Sequence, residues 1–455
     1  MEYDPEGRRL PIKLDSTCNG EFAPVPLDAT NRAANALAHE FASRFSRKLS
    51  AGRRQFLTSA CGAASTLLAF NAANAAAGRT GGFFDIAKEA ALDRELARRQ
   101  VGAAKQEFIF DVQGHFIDTP KGNAKSAEVF VKDVFMDSDT DVMVLSFVPS
   151  TRDAEPVTIQ AADAMRRVVE KLDGTHRLLL HGRVNPNQPG DLEAMDELKE
   201  KWRVSAWKTY TQFGPGGRGY FLSDEIGTRF IEKARALGVK TIAVHKGLPF
   251  GRRSYEHSQC IDIGVVAKRF PDVNFLVYHS GFVIEQAEGP YRAGNDGVDT
   301  LIASLQKNAV APGSNVYAEL GSTWRFLMRD PGQAAHLIGK LVQHLGPDNV
   351  LWGTDSIWYG SPQDQIQAFR AFQIAPELRE QHGYAEITPE LRAKIFGRNA
   401  ARVYGLSAAE VKKYTSRDPI ARERAAYLED PQPSFLTYGP KTRREFLQYL
   451  KERLA

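Results

Sequence analysis

The sequence predicts an α/β fold: a closed (β/α)8 barrel preceded by an N-terminal leader and followed by a C-terminal helical extension. Three observations predict it. Eight short β-branched or aromatic runs recur along the chain, helical patterns alternate with them, and Gln, His and Asp stand at the C-terminal ends of four of the runs. With 455 residues, 43% of them hydrophobic, the chain has the core for one barrel of about 250 residues plus insertions.

Residues 1–52 are polar and show no clear periodicity, so they are expected to be unstructured. Residues 53–77, RRQFLTSACGAASTLLAFNAANAAA, join an arginine pair to a mildly apolar stretch and then to small residues, a pattern that resembles a twin-arginine export signal. The apolar run Cys61–Phe70 is shorter than the roughly 20 residues a membrane span needs, so no stable membrane insertion is expected. Ala73-Asn74-Ala75 offers a small-residue cleavage site that would leave about 380 residues. On this reading the chain engages the twin-arginine export machinery of a bacterium and works in the periplasm or outside the cell. The competing reading is an ordinary amphipathic helix behind two arginines. The expected organisation is leader plus signal over 1–77, barrel over 78–408 and C-terminal extension over 409–455.

After the signal, LDRELARRQVGAAK (92–105) reads as a helix, and the eight strand candidates follow. They are FIFDVQGH (108–115), DVMVLSFV (141–148), HRLLLHGRV (176–184), VSAWKTYT (204–211), TIAVHKG (241–247), NFLVYHSG (274–281), NVYAELGS (315–322) and NVLWGTDS (349–356). Between them DLEAMDELKEKW, SDEIGTRFIEKARALG and QAAHLIGKLVQHLG show helical spacing, the last two closing on Gly238 and Gly346. Such alternation favours parallel strands with helical crossovers, and eight strands suit a closed barrel better than an open doubly wound sheet. Residues 116–140 and 282–297 look inserted at the mouth, and the tail beyond Val411 is charged and broken by proline.

The formal charge of +4 is spread along the chain without a long basic run, which argues against a nucleic-acid partner and leaves a small molecule as the expected one. Only Cys260 of the three cysteines falls in the expected barrel, so no disulfide is available there. No GxxxxGK[ST] loop, dinucleotide fingerprint or GxSxG elbow is present.

A parallel barrel gathers the C-terminal ends of its strands at one mouth, so Gln113, His115, His245, His279 and Asp355 can meet around one cation. Gln113 and His115 are two apart on one strand and face the same way. Imidazole and carboxylate donors suit zinc first, with manganese or iron as alternatives. Asp355 is the expected base toward water, and His279 serves as ligand or as a group orienting water.

The order of these residues resembles the amidohydrolase superfamily, and within it the amidohydrolase-2 branch that includes amino-carboxymuconate-semialdehyde decarboxylase and the resorcylate-type decarboxylases. The resemblance covers residues 106–408, including KIFGRNAARVYGL near its end. It implies that His115, His245, His279 and Asp355 are metal and catalytic positions. Gln113 departs from it, standing where the superfamily usually has histidine, or glutamate in some decarboxylases. Lys208, on the fourth run, matches a lysine that two-metal members carbamylate to bridge the ions; the alternatives are a free ammonium binding a substrate carboxylate and a lysine that reaches out to solvent, so one ion or two remain open. Tyr210, Lys246, Arg252, Arg253, Glu319, Trp324, Arg325 and Trp358 are candidate substrate contacts at the mouth.

The function expected is metal-dependent hydrolysis of an amide, ester or lactone in a small, aromatic or carboxylated substrate. The alternatives are non-oxidative decarboxylation of an aromatic or muconate-like acid, and a non-catalytic metal-binding barrel. A homo-oligomer is compatible with the tail.

Overall fold

A computed structural model of the chain describes residues 4–102, 107–116, 126–249, 255–416 and 418–454. Eight parallel strands run in chain order around a barrel: β2 (Phe110–Gly114), β3 (Val142–Leu145), β4 (Leu178–Arg183), β5 (Ala206–Tyr210), β6 (Thr241–His245), β7 (Asn274–Tyr278), β8 (Val316–Glu319) and β9 (Val350–Leu351). Each lies inside one of the eight runs read from the sequence. The ring closes between β2 and the segment after β9 through a parallel bridge, Gly114 to Ser356, with Val112 N–H donating to the Trp352 carbonyl at 3.1 Å and Asp355 N–H to the Gln113 carbonyl at 2.9 Å. A separate antiparallel pair, β1 (Gly82–Phe84) with β10 (Phe372–Ile374), ties the chain before the barrel to the chain after it.

Phe110, Val112, Val144, Ala243, Leu276 and Leu351 fill the barrel below the mouth. Local chemistry starts and stops the outer helices. Ile159–Asp173 begins where the Thr158 hydroxyl accepts from Ala161 N–H and stops at Gly174, whose φ of +64 suits a residue without Cβ. Pro331–Leu345 starts at Asp330, with proline in the first turn where no N–H is needed, and its Gly346 has φ +99. The DLEAMDELKEKW pattern forms Asp191–Glu200 and SDEIGTRFIEKARALG forms Glu225–Ala236. Residues 94–102 are helical, but the α-helix Arg94–Ala97 gives way to a π turn at Arg98–Gly102.

The largest departure from expectation is at the N-terminus. Residues 4–28 are not a solvated leader: Leu10, Ile12, Leu14 and Cys18 are fully buried, and the segment leads into a helix, α1 (Ala29–Lys48), which packs on a second, α2 (Ala60–Ala76). The polar residues that made it look unstructured have buried partners. Lys13 Nζ lies 3.1 Å from Asp364, and Asp15 pairs with Arg325. The apolar part of the export-signal pattern, Cys61–Phe70, lies in α2 with Cys61, Ala63, Ala64, Leu67 and Phe70 buried. No helix among the described residues is long and apolar enough to cross a membrane. The C-terminal extension is helical at Ala408–Ser416, Pro419–Tyr427 and Arg443–Leu454.

Candidate metal centre

The C-terminal ends of β2, β6, β7 and β9 place His115, His245, His279 and Asp355 together at one end of the barrel, all buried. His115 Nε2 lies 2.8 Å from Asp355 Oδ1, and the rings of His245 and His279 meet edge to face with centroids 4.5 Å apart. The backbone is bent to deliver them: His279, Ser280, Ser322 and Asp355 have φ of +63, +54, +52 and +58, a left-handed conformation that costs a non-glycine residue free energy and gathers at working sites.

Hydrogen bonds orient the rings of His279 and His115. His279 Nδ1 is 2.7 Å from the Gly321 carbonyl, an acceptor only, so Nδ1 carries the proton and Nε2 turns its lone pair to the centre. His115 Nδ1 faces the Ser146 carbonyl at 3.1 Å while its Nε2 faces the Asp355 carboxylate. The His245 ring stacks on Tyr210, centroids 4.8 Å apart. Burial holds the His279 imidazolium form off, bringing its pKa down to about 4, and lowers that of His245 well below the ordinary value, with the neighbouring His279 adding to the effect. Neutral imidazoles are the form a divalent ion binds.

Burial pushes the Asp355 carboxyl up, but the hydrogen bonds from His115 and the Ser322 hydroxyl outweigh it and hold Asp355 below the usual carboxylate range. Its Oδ2 also accepts from Asn19 Nδ2 at 2.7 Å. Glu319 lies behind the centre, accepting from the N–H groups of His279 at 3.0 Å and Gly321 at 2.6 Å, and burial raises its pKa to about 8.

Lys208, on β5, is fully buried, with Nζ 3.8 Å from the Tyr278 ring centroid and 4.7 Å from that of Tyr210. Burial lowers its pKa to about 7 against the opposing pull of Glu21, Glu319 and Asp355. Its Nζ has no hydrogen-bond partner among the described residues, which leaves it available to an anion.

Gln113 turns its amide nitrogen to Asp355, donating to Oδ1 at 3.1 Å, while its buried Oε1 has no hydrogen-bond partner among the described residues. Several other candidates are engaged elsewhere. Arg325 is spent on Asp15 and on the Lys13 carbonyl, and Lys246 on Asp262 at 2.8 Å and the His257 carbonyl at 3.1 Å. Trp324 donates to the Gln365 carbonyl at 3.0 Å and packs on Phe369 in the core. Trp358 is buried edge-on against Tyr449 of the C-terminal helix. Tyr210 stays at the site through its ring, its hydroxyl donating to the Phe147 carbonyl at 2.7 Å. Arg252 and Arg253 lie outside the described residues.

Sequence reasoning missed Asn19, Glu21 and Ser322. Glu21 is buried beside the histidines, its oxygens 3.6 Å from His245 Nδ1 and 3.9 Å from His279 Nε2. The donor atoms of Glu21, His245 and His279 all lie within 4.8 Å of one another. The alternation Leu10, Ile12, Leu14 was the available signal that this segment is buried on one face. A cavity of about 680 Å³ bordered by Lys13, Arg54, Arg98, Asp364 and Arg424 has none of the centre's histidines in its wall.

This arrangement can hold a divalent cation between imidazoles and carboxylates, with a buried amine beside it. A sequence model described as Amidohydrolase (Amidohydro_2) matches residues 110–406. Comparison with curated proteins gives no match. Solved structures similar to the chain include an uncharacterised TIM-barrel protein from Bordetella bronchiseptica, 14% identical over 67% of this chain and 99% of that one, TM-score 0.44. A 5-carboxyvanillate decarboxylase from Novosphingobium aromaticivorans with bound manganese is 12% identical over 67% and 99%, TM-score 0.44. A putative 2-pyrone-4,6-dicarboxylic acid hydrolase from Pseudomonas putida is 13% identical over 66% and 98%, TM-score 0.39.

Proposed function

The chain belongs to the amidohydrolase family, whose members are metal-dependent enzymes, and from that premise we propose that it is a hydrolase acting on an amide, ester or lactone bond of a small carboxylated or aromatic substrate. The observation that carries the reading is the meeting of His115, His245, His279 and Asp355, with His115 Nε2 2.8 Å from Asp355 Oδ1. These four would hold the ion, zinc in first place and manganese or iron as alternatives. When bound, the ion supplies Lewis acidity toward a carbonyl oxygen and makes water easier to deprotonate.

Asp355 accepts the proton of the attacking water at a carboxylate oxygen. Asn19 and Ser322, both donating to Oδ2, fix the direction of that carboxylate. Lys208, between the faces of Tyr210 and Tyr278, binds a substrate carboxylate as an ammonium, and its place over the Tyr278 ring supports one ion over a carbamate-bridged pair. Mass analysis in bicarbonate tests this: an added carboxyl on Lys208 with two metals per chain refutes it.

The deciding experiment loads the protein with zinc or manganese and offers chromogenic esters and lactones. Asp355→Asn is expected to lower kcat by about 10²–10⁴-fold; a variant as fast as the parent removes Asp355 as the base. A second reading, decarboxylation of an aromatic acid, is favoured by the way the N-terminal segment covers the centre and by the aromatic faces around Lys208. Carbon dioxide release without ester or lactone turnover selects it.

Export to the periplasm or beyond is supported by the Arg53-Arg54 pair and the apolar run behind it. We propose that the chain is carried folded and uncut, because cleavage at Ala73–Ala75 would remove Asn19 and Glu21 from the centre. Cell fractionation with intact-mass measurement tests this, and an exported enzyme that is active without its first 75 residues contradicts it.

A further inference from the structure

We infer that Glu21, carried to the barrel mouth by the N-terminal segment, is a carboxylate ligand of the metal centre. The inference rests on the reading of His245 and His279 as ligands.

The first argument is spacing. Glu21 oxygens lie 3.6 Å from His245 Nδ1 and 3.9 Å from His279 Nε2, beyond the 2.7–3.2 Å usual for a hydrogen bond. Two donors bound to one zinc at about 2.1 Å with a tetrahedral angle stand about 3.4 Å apart. The observed separations therefore match donors arranged around an ion better than donors bonded to each other.

The second argument is construction, since Glu21 does not arrive on a free strand. Asn19 Oδ1 accepts from Glu21 N–H at 3.0 Å, and Asn19 Nδ2 donates at 2.7 Å to Glu21 Oε2 and at 2.7 Å to Asp355 Oδ2. One amide thus sets the spacing between the two buried carboxylates. Between them Gly20 has φ +81, and a Cβ there would come within 2.6 Å of the Tyr449 ring, so the turn is seated against the C-terminal helix. Cys18 N–H donates to the Pro440 carbonyl at 2.9 Å. Upstream, Asp15 with Arg325 and Lys13 with Asp364 fasten the segment to the barrel.

The third argument is donor chemistry. β2 supplies one imidazole, His115, and only a neutral amide, Gln113, whose N–H goes to Asp355. Two imidazoles from β6 and β7 with a carboxylate make a common zinc set, and the segment brings in that carboxylate from outside the barrel strands.

Glu21→Gln keeps the side-chain shape and the acceptor for Asn19 but removes the charge. Zinc and cobalt(II) affinities are measured on the full chain by competition with a chromogenic chelator, together with the cobalt absorption spectrum, and His245→Ala is the control. The expected result is one ion per parent chain, an affinity loss for Glu21→Gln of at least about 100-fold, a changed cobalt spectrum, and loss of the ion in His245→Ala. Parental affinity and spectrum in Glu21→Gln, with the ion lost in His245→Ala, overturn the role of Glu21 and leave the histidine centre standing. An ion retained in His245→Ala overturns both. Should Glu21→Gln not fold, Glu21→Asp keeps the charge while withdrawing the oxygens by one methylene. An affinity about tenfold weaker supports the inference, and an unchanged one overturns it.

Discussion

Replacing Asp15 by asparagine should loosen the N-terminal segment without touching the centre directly. Asp15 is fully buried and pairs with Arg325, itself 1% exposed, while the Asp15 carbonyl accepts from Arg329. Burial pushes the Asp15 carboxyl up, but Arg325, Thr17, Lys13 and Arg329 outweigh it, so its pKa is lowered and the group is ionised in the fold. Asparagine removes the negative charge and strands the guanidinium of Arg325 in the interior, which for a broken buried pair costs about 3–5 kcal/mol. An unfolding entropy of about 2.1 cal/mol/K per residue gives about 1 kcal/mol/K for a chain of this length, so Tm should fall by about 3–5 °C. Amides over 10–22 should exchange faster in hydrogen-exchange mass spectrometry. The sign in pH follows from the lowered pKa: the stabilisation is present above the unfolded value near 3.8 and is lost as pH falls through the folded value, so parent and variant should converge in acid. A Tm within about 1 °C of the parent at neutral pH, with unchanged exchange over 10–22, refutes the claim that this pair holds the segment down.

Two further outcomes are expected. Burial raises the pKa of Asp133 to about 6, its Oδ2 accepting from the Tyr438 hydroxyl at 2.8 Å; the native state then binds this proton more tightly than the unfolded chain, and stability falls by about 3 kcal/mol as pH rises from 4 to 6. Asp133→Asn should therefore raise Tm at pH 7–8 and lose that advantage near pH 4, and equal melting curves at pH 8 contradict this. Gln113→His should preserve or strengthen zinc binding, since it exchanges a neutral amide beside His279 for an imidazole, a stronger ligand; a clear loss of affinity in a metal titration counts against position 113 as a ligand position.

The barrel was legible because strand runs and helical crossovers announce themselves locally. FIFDVQGH contains β2 and TIAVHKG contains β6, and the site histidines stand where such strands end. The last run was legible as a position but not as a strand: only Val350 and Leu351 join the ladder, and the chain then turns to deliver Asp355 at φ +58. Asn19 and Glu21 were hard to read, since beyond the short Leu10, Ile12, Leu14 alternation their segment has the composition of a solvated leader. Their burial depends on Arg325, Asp355 and Tyr449, more than 300 residues away. Arg325 shows the same limit from the other side. An arginine near a barrel mouth reads as a substrate anchor, and only the folded N-terminal segment reveals that its charge is already neutralised.

The most direct measurement is anomalous diffraction at the zinc edge from crystals of the full-length, zinc-loaded protein. One peak per chain, about 2.0–2.2 Å from imidazole nitrogens of His245 and His279 and from a carboxylate oxygen, is the expected result. A peak elsewhere, or none at full occupancy of the protein, contradicts the account.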